Sequence, residues 1–439
     1  MKILIQNSTV IPLTEDSRVR ENCHILIEND KFIGIGTTNE LADQNLNLDH
    51  WKPDRTIQAN DLLAIPGFVN AHTHAAMSLF RSFADDMPLL EWLEKKIWPA
   101  EARLTSEDVY WGTLLAIIEM LKSGTTCFAD MYFFMPEVAK AVEESGIRAS
   151  LARGLIGIAP EGEKSLDEGC QFAVDWRGKG NGRISVMLGP HAPYTCTPNY
   201  LEKVIRRAKE LNLGLHIHLA ETRNEVIEIQ SKYGTTPVSL MNQIGLFDSP
   251  VLAAHCVHLS EEEMQILARS KVGIAHNPES NMKLASGIAP IQDLLSRNAI
   301  VALGTDGPAS NNNLDLIQEM RSASLLQKVA SGNPTALSAY TSLEMATVKG
   351  AAALGLDSEI GRITPGAKAD LVLLDTRKPH WQPLHRPIST LVFSSLAADV
   401  STVIVDGKIL LEKGRVLTVD ENEVFNQVRK RADRLVSDL

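Results

Sequence analysis

Ala64-Ile65-Pro66-Gly67-Phe68-Val69-Asn70-Ala71-His72-Thr73-His74 carries a short apolar run into two histidines spaced two apart. Alternate residues of an extended chain share a face, so both imidazoles can reach one point in space. The same design recurs along the chain. Apolar β-type runs occupy residues 64–69, 125–129, 149–155, 184–188, 214–217, 251–254, 272–275 and 300–303. Amphipathic stretches at 109–122, 136–144, 200–210, 237–244, 261–268 and 290–297 read as the helices between them. Strands alternating with helices indicate a parallel α/β fold. Eight such repeats can close into a (β/α)8 TIM-like barrel, with a doubly wound open sheet as the competing arrangement.

The residues just beyond each strand decide between them. After successive runs come His72 and His74, Asp130, Arg153, His191, His218 with Glu221, His255, His276 and Asp306. Ionisable residues therefore gather at one end of many different strands. That is the C-terminal face of a barrel, where the βα loops build the active site. The two ends of the chain have another texture. Short β-rich runs at 3–5, 24–27 and 32–35 match runs at 370–375, 400–405 and 409–411, with Asp406-Gly407 as a hairpin turn. Residues 1–62 and 364–439 are expected to form one small discontinuous β-sandwich domain, with residues 63–363 inserted as the barrel.

Composition bounds the function. Of 439 residues, 44% are hydrophobic and 22% charged, which is ordinary globular usage. The net charge of −11 comes without a basic stripe, so a nucleic-acid partner is not expected. No apolar stretch approaches the ~20 residues of a membrane helix, and the apolar run of the N-terminus stops too early for a signal peptide. The five cysteines are odd in number, widely spaced and without a C-x-x-C. They read as free thiols, and the cytoplasm is the expected compartment. A small-molecule substrate fits best, and a homo-oligomer stays open.

Three elements carry the chemistry. His72-Thr73-His74 is the first, His216-Ile217-His218-Leu219-Ala220-Glu221 the second, and Gly304-Thr305-Asp306-Gly307 the third. His72, His74, His218 and Asp306 make a three-nitrogen, one-oxygen set. It suits one divalent ion, best Zn²⁺ with Fe²⁺ or Mn²⁺ as replacements, and leaves a position open for water. Glu221 follows His218 closely on the same face and is the best general acid/base. His255 ends its strand where it can orient water or stabilise charge. Asp306 can bind metal and accept a proton.

These three elements resemble the amidohydrolase superfamily. Gly361-Arg362-Ile363-Thr364-Pro365-Gly366 resembles the segment that returns those chains to their β domain. More narrowly, Leu90-Glu91-Trp92-Leu93, Ile97-Trp98-Pro99-Ala100-Glu101, His191-Ala192-Pro193-Tyr194 and Asn277-Pro278-Glu279-Ser280-Asn281 resemble the 5-methylthioadenosine/S-adenosylhomocysteine deaminases. Ser310-Asn311-Asn312-Asn313 belongs to the same pattern. The likeness covers the whole chain. It implies metal ligands His72, His74, His218 and Asp306, with Glu221 and His255 on the purine and its protons. It implies Glu101 on the ribose hydroxyls and His191 on the purine edge or substrate tail. Arg153 would pair with the homocysteine carboxylate, with Arg148 and Arg177 as competitors. No lysine follows the fourth strand, where binuclear members carry one, so one metal is expected.

The implied reaction is hydrolytic deamination of an adenosine derivative at C6, giving the inosine analogue and ammonia. The alternative is an aminohydrolase or chlorohydrolase of another N-heterocycle of guanine, cytosine or triazine type. A catalytically silent relative is a third reading, opposed by the intact ligand set. Residues 75–101 are rich in apolar side chains and read as a lid, half core and half pocket wall.

Overall fold

The computed structural model describes residues 1–14, 18–48 and 50–439. At its centre lies an eight-stranded parallel sheet. Its strands are β1 (Phe68–Thr73), β2 (Thr125–Tyr132), β3 (Arg148–Leu155), β4 (Ile184–Pro190), β5 (Gly214–Leu219), β6 (Val251–His255), β7 (Gly273–His276) and β8 (Ile300–Leu303). Each pairs with the next in chain order. Beyond β8, the Asp306 N–H donates to the His72 carbonyl at 2.9 Å, and Thr73 bridges Asp306 in parallel. A side-chain clasp reinforces this seam. Asn70 Nδ2 donates to Thr305 Oγ1 at 2.8 Å, and the Thr305 N–H donates back to Asn70 Oδ1 at 3.0 Å. The sheet is thus closed into a (β/α)8 barrel. Helices cover its outside, so both strand faces are buried, and β2 is buried at every residue.

The run expected at 64–69 is split at Gly67. Leu62–Pro66 belongs to the flanking sheet, and Phe68 begins the barrel. A Cβ on Gly67 would lie 2.0 Å from Thr126 Oγ1, so only glycine lets the chain cross so near the next strand. Among the described residues the flanking sheet has nine strands. Leu62–Pro66 joins its halves, pairing antiparallel with Leu371–Asp375 and parallel with Thr9 and Val10. Ile5, Ile25, Ile27 and Phe32 share an apolar interior there with Leu371, Leu373 and Ile404.

Two features were not expected from the sequence. The chain ends in a helix, Glu421–Val436, that lies on the barrel helix Ser106–Lys122. It buries Val424, Val428 and Leu435, one stripe at helical spacing, and is pinned by Lys122–Glu421 and Arg434–Asp108 ion pairs, both 2.5 Å. Arg148 opens β3 at the end opposite the mouth. Its guanidinium is buried on Asp370 at 2.9 Å and Asp406 at 3.3 Å, tying barrel to flanking sheet. Arg177 donates to the Leu211 and Asn212 carbonyls. Neither arginine competes for a substrate at the mouth. All five cysteines are buried and free. Among the described residues, no helix is long and apolar enough to cross a membrane.

Candidate active site

The ends of β1, β5, β6 and β8 converge at the mouth of the barrel. His74 Nε2 lies 3.1 Å from His218 Nε2 and 3.3 Å from Asp306 Oδ1. His72 Nε2 lies 3.4 Å from the same carboxylate oxygen. His255 closes the group, its Nε2 3.9 Å from Asp306 Oδ2. Ligand atoms of His72, His218, His255 and Asp306 all fall within 4.8 Å of one another. His74 stands closer still to His218 and Asp306, so five side chains surround one point.

The donor chemistry fits a cation there. His74 Nδ1 is 2.6 Å from the Met131 carbonyl, and His218 Nδ1 is 2.8 Å from the His191 carbonyl. A carbonyl only accepts, so each Nδ1 carries the proton and each Nε2 presents a lone pair. Two lone pairs 3.1 Å apart repel unless a cation lies between them. His72 Nε2 is buried without a hydrogen-bond partner among the described residues, as a nitrogen awaiting such an ion would be. Burial pushes the His72 imidazole down to about 4, which favours its neutral, ligating form. A buried divalent-metal site is the arrangement these groups satisfy.

Asp306 is oriented from three sides. Ser280 Oγ and Ser310 Oγ donate to Oδ2 at 2.6 and 3.0 Å, and the Gly307 N–H donates to Oδ1 at 2.8 Å. Burial would raise its carboxyl, but His72, His255 and His74 hold it well below the usual carboxylate range. Glu221 Oε2 lies 3.8 Å from His255 Nε2. Burial raises the Glu221 carboxyl, with the His255 charge opposing. Burial also acts against charge on His255, yet Glu221 and Asp306 carry its imidazole above the ordinary value. Asn281 Oδ1 accepts a hydrogen bond from His255 Nδ1–H at 2.8 Å and so aims Nε2 at the two carboxylates.

The backbone at these strand ends is unusual. Ala220, His255, Cys256 and Asp306 have φ of 52°, 74°, 49° and 63°. Left-handed conformation at non-glycine residues costs of order 1–3 kcal/mol each and gathers where function demands a particular side-chain direction. Glu225 holds one such turn. Its carboxylate accepts the Ala220 and Glu221 N–H groups at 2.9 and 2.8 Å, fixing the loop that carries Glu221. Sequence reasoning passed over Glu225, although Thr222-Arg223-Asn224-Glu225 has the spacing of a helix start. It also passed over Asn281, Ser280 and Ser310, which stand in stretches quoted only for their resemblance.

Above this group lies a cavity that opens to solvent. His74, His191, His218, Glu221, His255 and Asp306 form its floor and sides. Met77, Leu89, Trp92, Leu93, Ile97 and Trp98 come from the 75–101 segment, so the lid is half core and half wall, as expected. Glu101 ends the lid helix Trp98–Glu101 and lines the cavity. Burial pushes its carboxyl up to about 7, with Tyr132 opposing. Desolvation at the half-buried His191 lowers its imidazole to about 3. Arg153 stands outside the cavity. Side chains alternate along β3, so Gly154 faces the cavity and Arg153 faces the helix Gly162–Trp176. There it lies over the Phe133 ring at 5.3 Å and pairs with Glu168 at 3.4 Å, in a groove that also borders Glu101.

Residues 63–410 match the model of the amidohydrolase family. The chain belongs to that family. Full-length relatives include a 5-methylthioadenosine/S-adenosylhomocysteine deaminase of Pelotomaculum thermopropionicum, 53% identical over 99% of both chains. Another, from Carboxydothermus hydrogenoformans, is 51% identical over 100% of this chain and 99% of its own. Among solved structures, a zinc-bound adenosine deaminase of Xanthomonas campestris superposes with a TM-score of 0.94 at 36% identity, covering 99% of this chain and 98% of that one. A zinc complex of atrazine chlorohydrolase from Arthrobacter aurescens gives 0.88 at 25% identity, covering 98% and 100%. As an amidohydrolase with a buried site for a divalent metal, the chain is a hydrolase.

Proposed function

We propose that this amidohydrolase deaminates adenosine derivatives at C6, with 5′-methylthioadenosine and S-adenosylhomocysteine as substrates, releasing ammonia and the inosine analogue. The observation that carries this reading is the facing of Glu221 and His255 beside Asp306, on the floor of an apolar-lidded cavity. The full-length relatives support the substrate class. Zn²⁺ is the proposed ion, held by His72, His74, His218 and Asp306. Such an ion, when bound, lowers the pKa of water to about 7 and so supplies hydroxide near neutral pH.

The residues then divide the proton work. Glu221, whose carboxyl burial raises, gives a proton to N1 and makes C6 electrophilic. Water adds to C6, and ionised Asp306 takes the proton it sheds. Charge growing on the new oxygen is met by the His255 imidazole, whose charged form is favoured by ionised Asp306 and by Glu221 once it has given up its proton. Asp306 passes its proton to the 6-amino group, and the C–N bond breaks to release ammonia. The remaining hydroxyl proton returns to Glu221, leaving C6=O and N1–H. The lid excludes bulk water during these steps.

Glu101 is the proposed acceptor for the two ribose hydroxyls. Ionised, a carboxylate offers both oxygens as acceptors to two adjacent O–H donors, whereas protonation turns one of them into a donor. Its carboxyl stands at about 7, so KM for nucleosides is expected to climb as pH falls below that value, by about tenfold per unit, with kcat less affected. KM profiles from pH 5 to 8 (Glu101→Gln as the flat control) read this directly. Arg153 is proposed to leave Glu168 only for a substrate carboxylate. Arg153→Ala is then expected to lower kcat/KM for S-adenosylhomocysteine by about tenfold, of order 1–2 kcal/mol, and to spare methylthioadenosine. Equal losses on both substrates would give Arg153 a structural role.

Ultraviolet assays of purified protein against methylthioadenosine, S-adenosylhomocysteine, adenosine and guanine test the reading as a whole. Turnover of the nucleosides is expected. Turnover of guanine alone would move the protein to the base-deaminating alternative.

A further inference from the structure

We propose that His216 is a positioning residue, holding His72 with its Nε2 lone pair directed at the divalent ion. This rests on the reading of His72 as a ligand. The sequence pairs His216 with His218 on β5, and the metal site uses only the second. Alternation puts both on the inner face, with His216 deeper in the barrel.

His216 Nε2 lies 2.8 Å from His72 Nδ1. The rings meet edge to face, with centroids 5.0 Å apart and an interplanar angle of 77°. Relative exposures are 0% for His72 and 1% for His216, so water does not compete for this contact. Two nitrogens at that distance share one proton. If His216 donates, His72 must carry its own proton on Nε2, which then blocks the ligand position. If His72 donates, its Nε2 is bare and faces Asp306, and His216 carries its proton on Nδ1. That Nδ1 is buried without a partner among the described residues. An unpaired buried N–H is costly, so the arrangement needs a compensating gain, and a cation on His72 Nε2 supplies one.

The three proposed histidine ligands differ in this respect. His74 and His218 are held by the carbonyls of Met131 and His191, which no side-chain substitution removes. His72 is held by a side chain. One substitution can therefore release one ligand and leave the other two in place. Partners behind ligating histidines set both tautomer and ring direction.

The test is metal affinity, read by competition with a chelator at neutral pH using Zn²⁺ alone. His216→Leu removes the acceptor at similar volume and is expected to weaken Zn²⁺ binding by about 10–100-fold. His216→Gln places an amide oxygen where Nε2 was and is expected to recover affinity to within about threefold of the parent. An unchanged affinity in His216→Leu overturns the proposal. His72→Ala is the control for the reading beneath it, because unchanged affinity there removes His72 from the ligand set itself. Nitrogen NMR of the Zn²⁺-loaded parent, labelled at histidine, does not depend on a variant that folds. His216 is expected to be protonated at Nδ1, and protonation at Nε2 would overturn the proposal.

Discussion

Glu221→Gln is expected to fold, to keep its metal, and to lose turnover by about 1,000-fold, or ~4 kcal/mol in the barrier. The variant is isosteric and keeps the Oε1 that accepts from Ser286 Oγ at 3.3 Å. The backbone N–H groups of Ala220 and Glu221 stay on Glu225, so the loop does not move. The loss is confined to a transferable proton beside His255. Burial raises the Glu221 carboxyl, and this sets the sign of the pH dependence. Its donor form persists to higher pH than an ordinary glutamate, and parent kcat is expected to fall as pH rises through that raised value. The variant should lack this alkaline limb. Steady-state rates from pH 5 to 9, with metal content measured on the same samples, decide the matter. Near-parental turnover in a metal-loaded Glu221→Gln would remove Glu221 from the proton path.

Asp306→Asn should act through metal and chemistry together. Asparagine matches the shape of aspartate and tolerates the left-handed backbone of this position, φ 63°, so folding should survive. The carboxylate that faces His72 and His74 at 3.4 and 3.3 Å would become a neutral amide. One anionic ligand and one proton acceptor are lost in a single atom change. Metal content is expected to drop to a small fraction of parental, and kcat/KM by at least about 10,000-fold, ~5 kcal/mol. Elemental analysis and rates at saturating Zn²⁺ separate the two losses. Full activity restored by added Zn²⁺ would confine Asp306 to metal retention and take it out of proton transfer.

Legibility in the sequence differs from residue to residue. His72, His74, His218 and Asp306 could be read because each directly ends, or shortly follows, an apolar strand. A parallel barrel brings such ends to one face whatever the intervening helices do. Glu221 and His255 obey the same rule, and the cavity collects them. Arg153 passed the same filter but stands outside the cavity, because alternation along β3 depends on a register that only strand pairing sets. His216 and His218 look alike in the sequence. Depth in the barrel separates them, one behind His72 and the other against His74. Glu225, Asn281, Ser280 and Ser310 act on groups brought to them by chain folding, so no local spacing announces their partners.

Periodicity and the residue types that end each strand are local properties, written in the chain before it folds. They were enough for the barrel, for the two flanks that join into one sheet, and for the histidines and carboxylates that line the cavity. Three things came only with the folded molecule: the side of a strand each group faces, the nitrogen each histidine leaves free, and the way burial moves each carboxyl. Those depend on register, on closure through Asn70 and Thr305, and on desolvation by a lid from a distant segment. Such interactions exist only once the chain has brought remote residues within a few ångströms of one another.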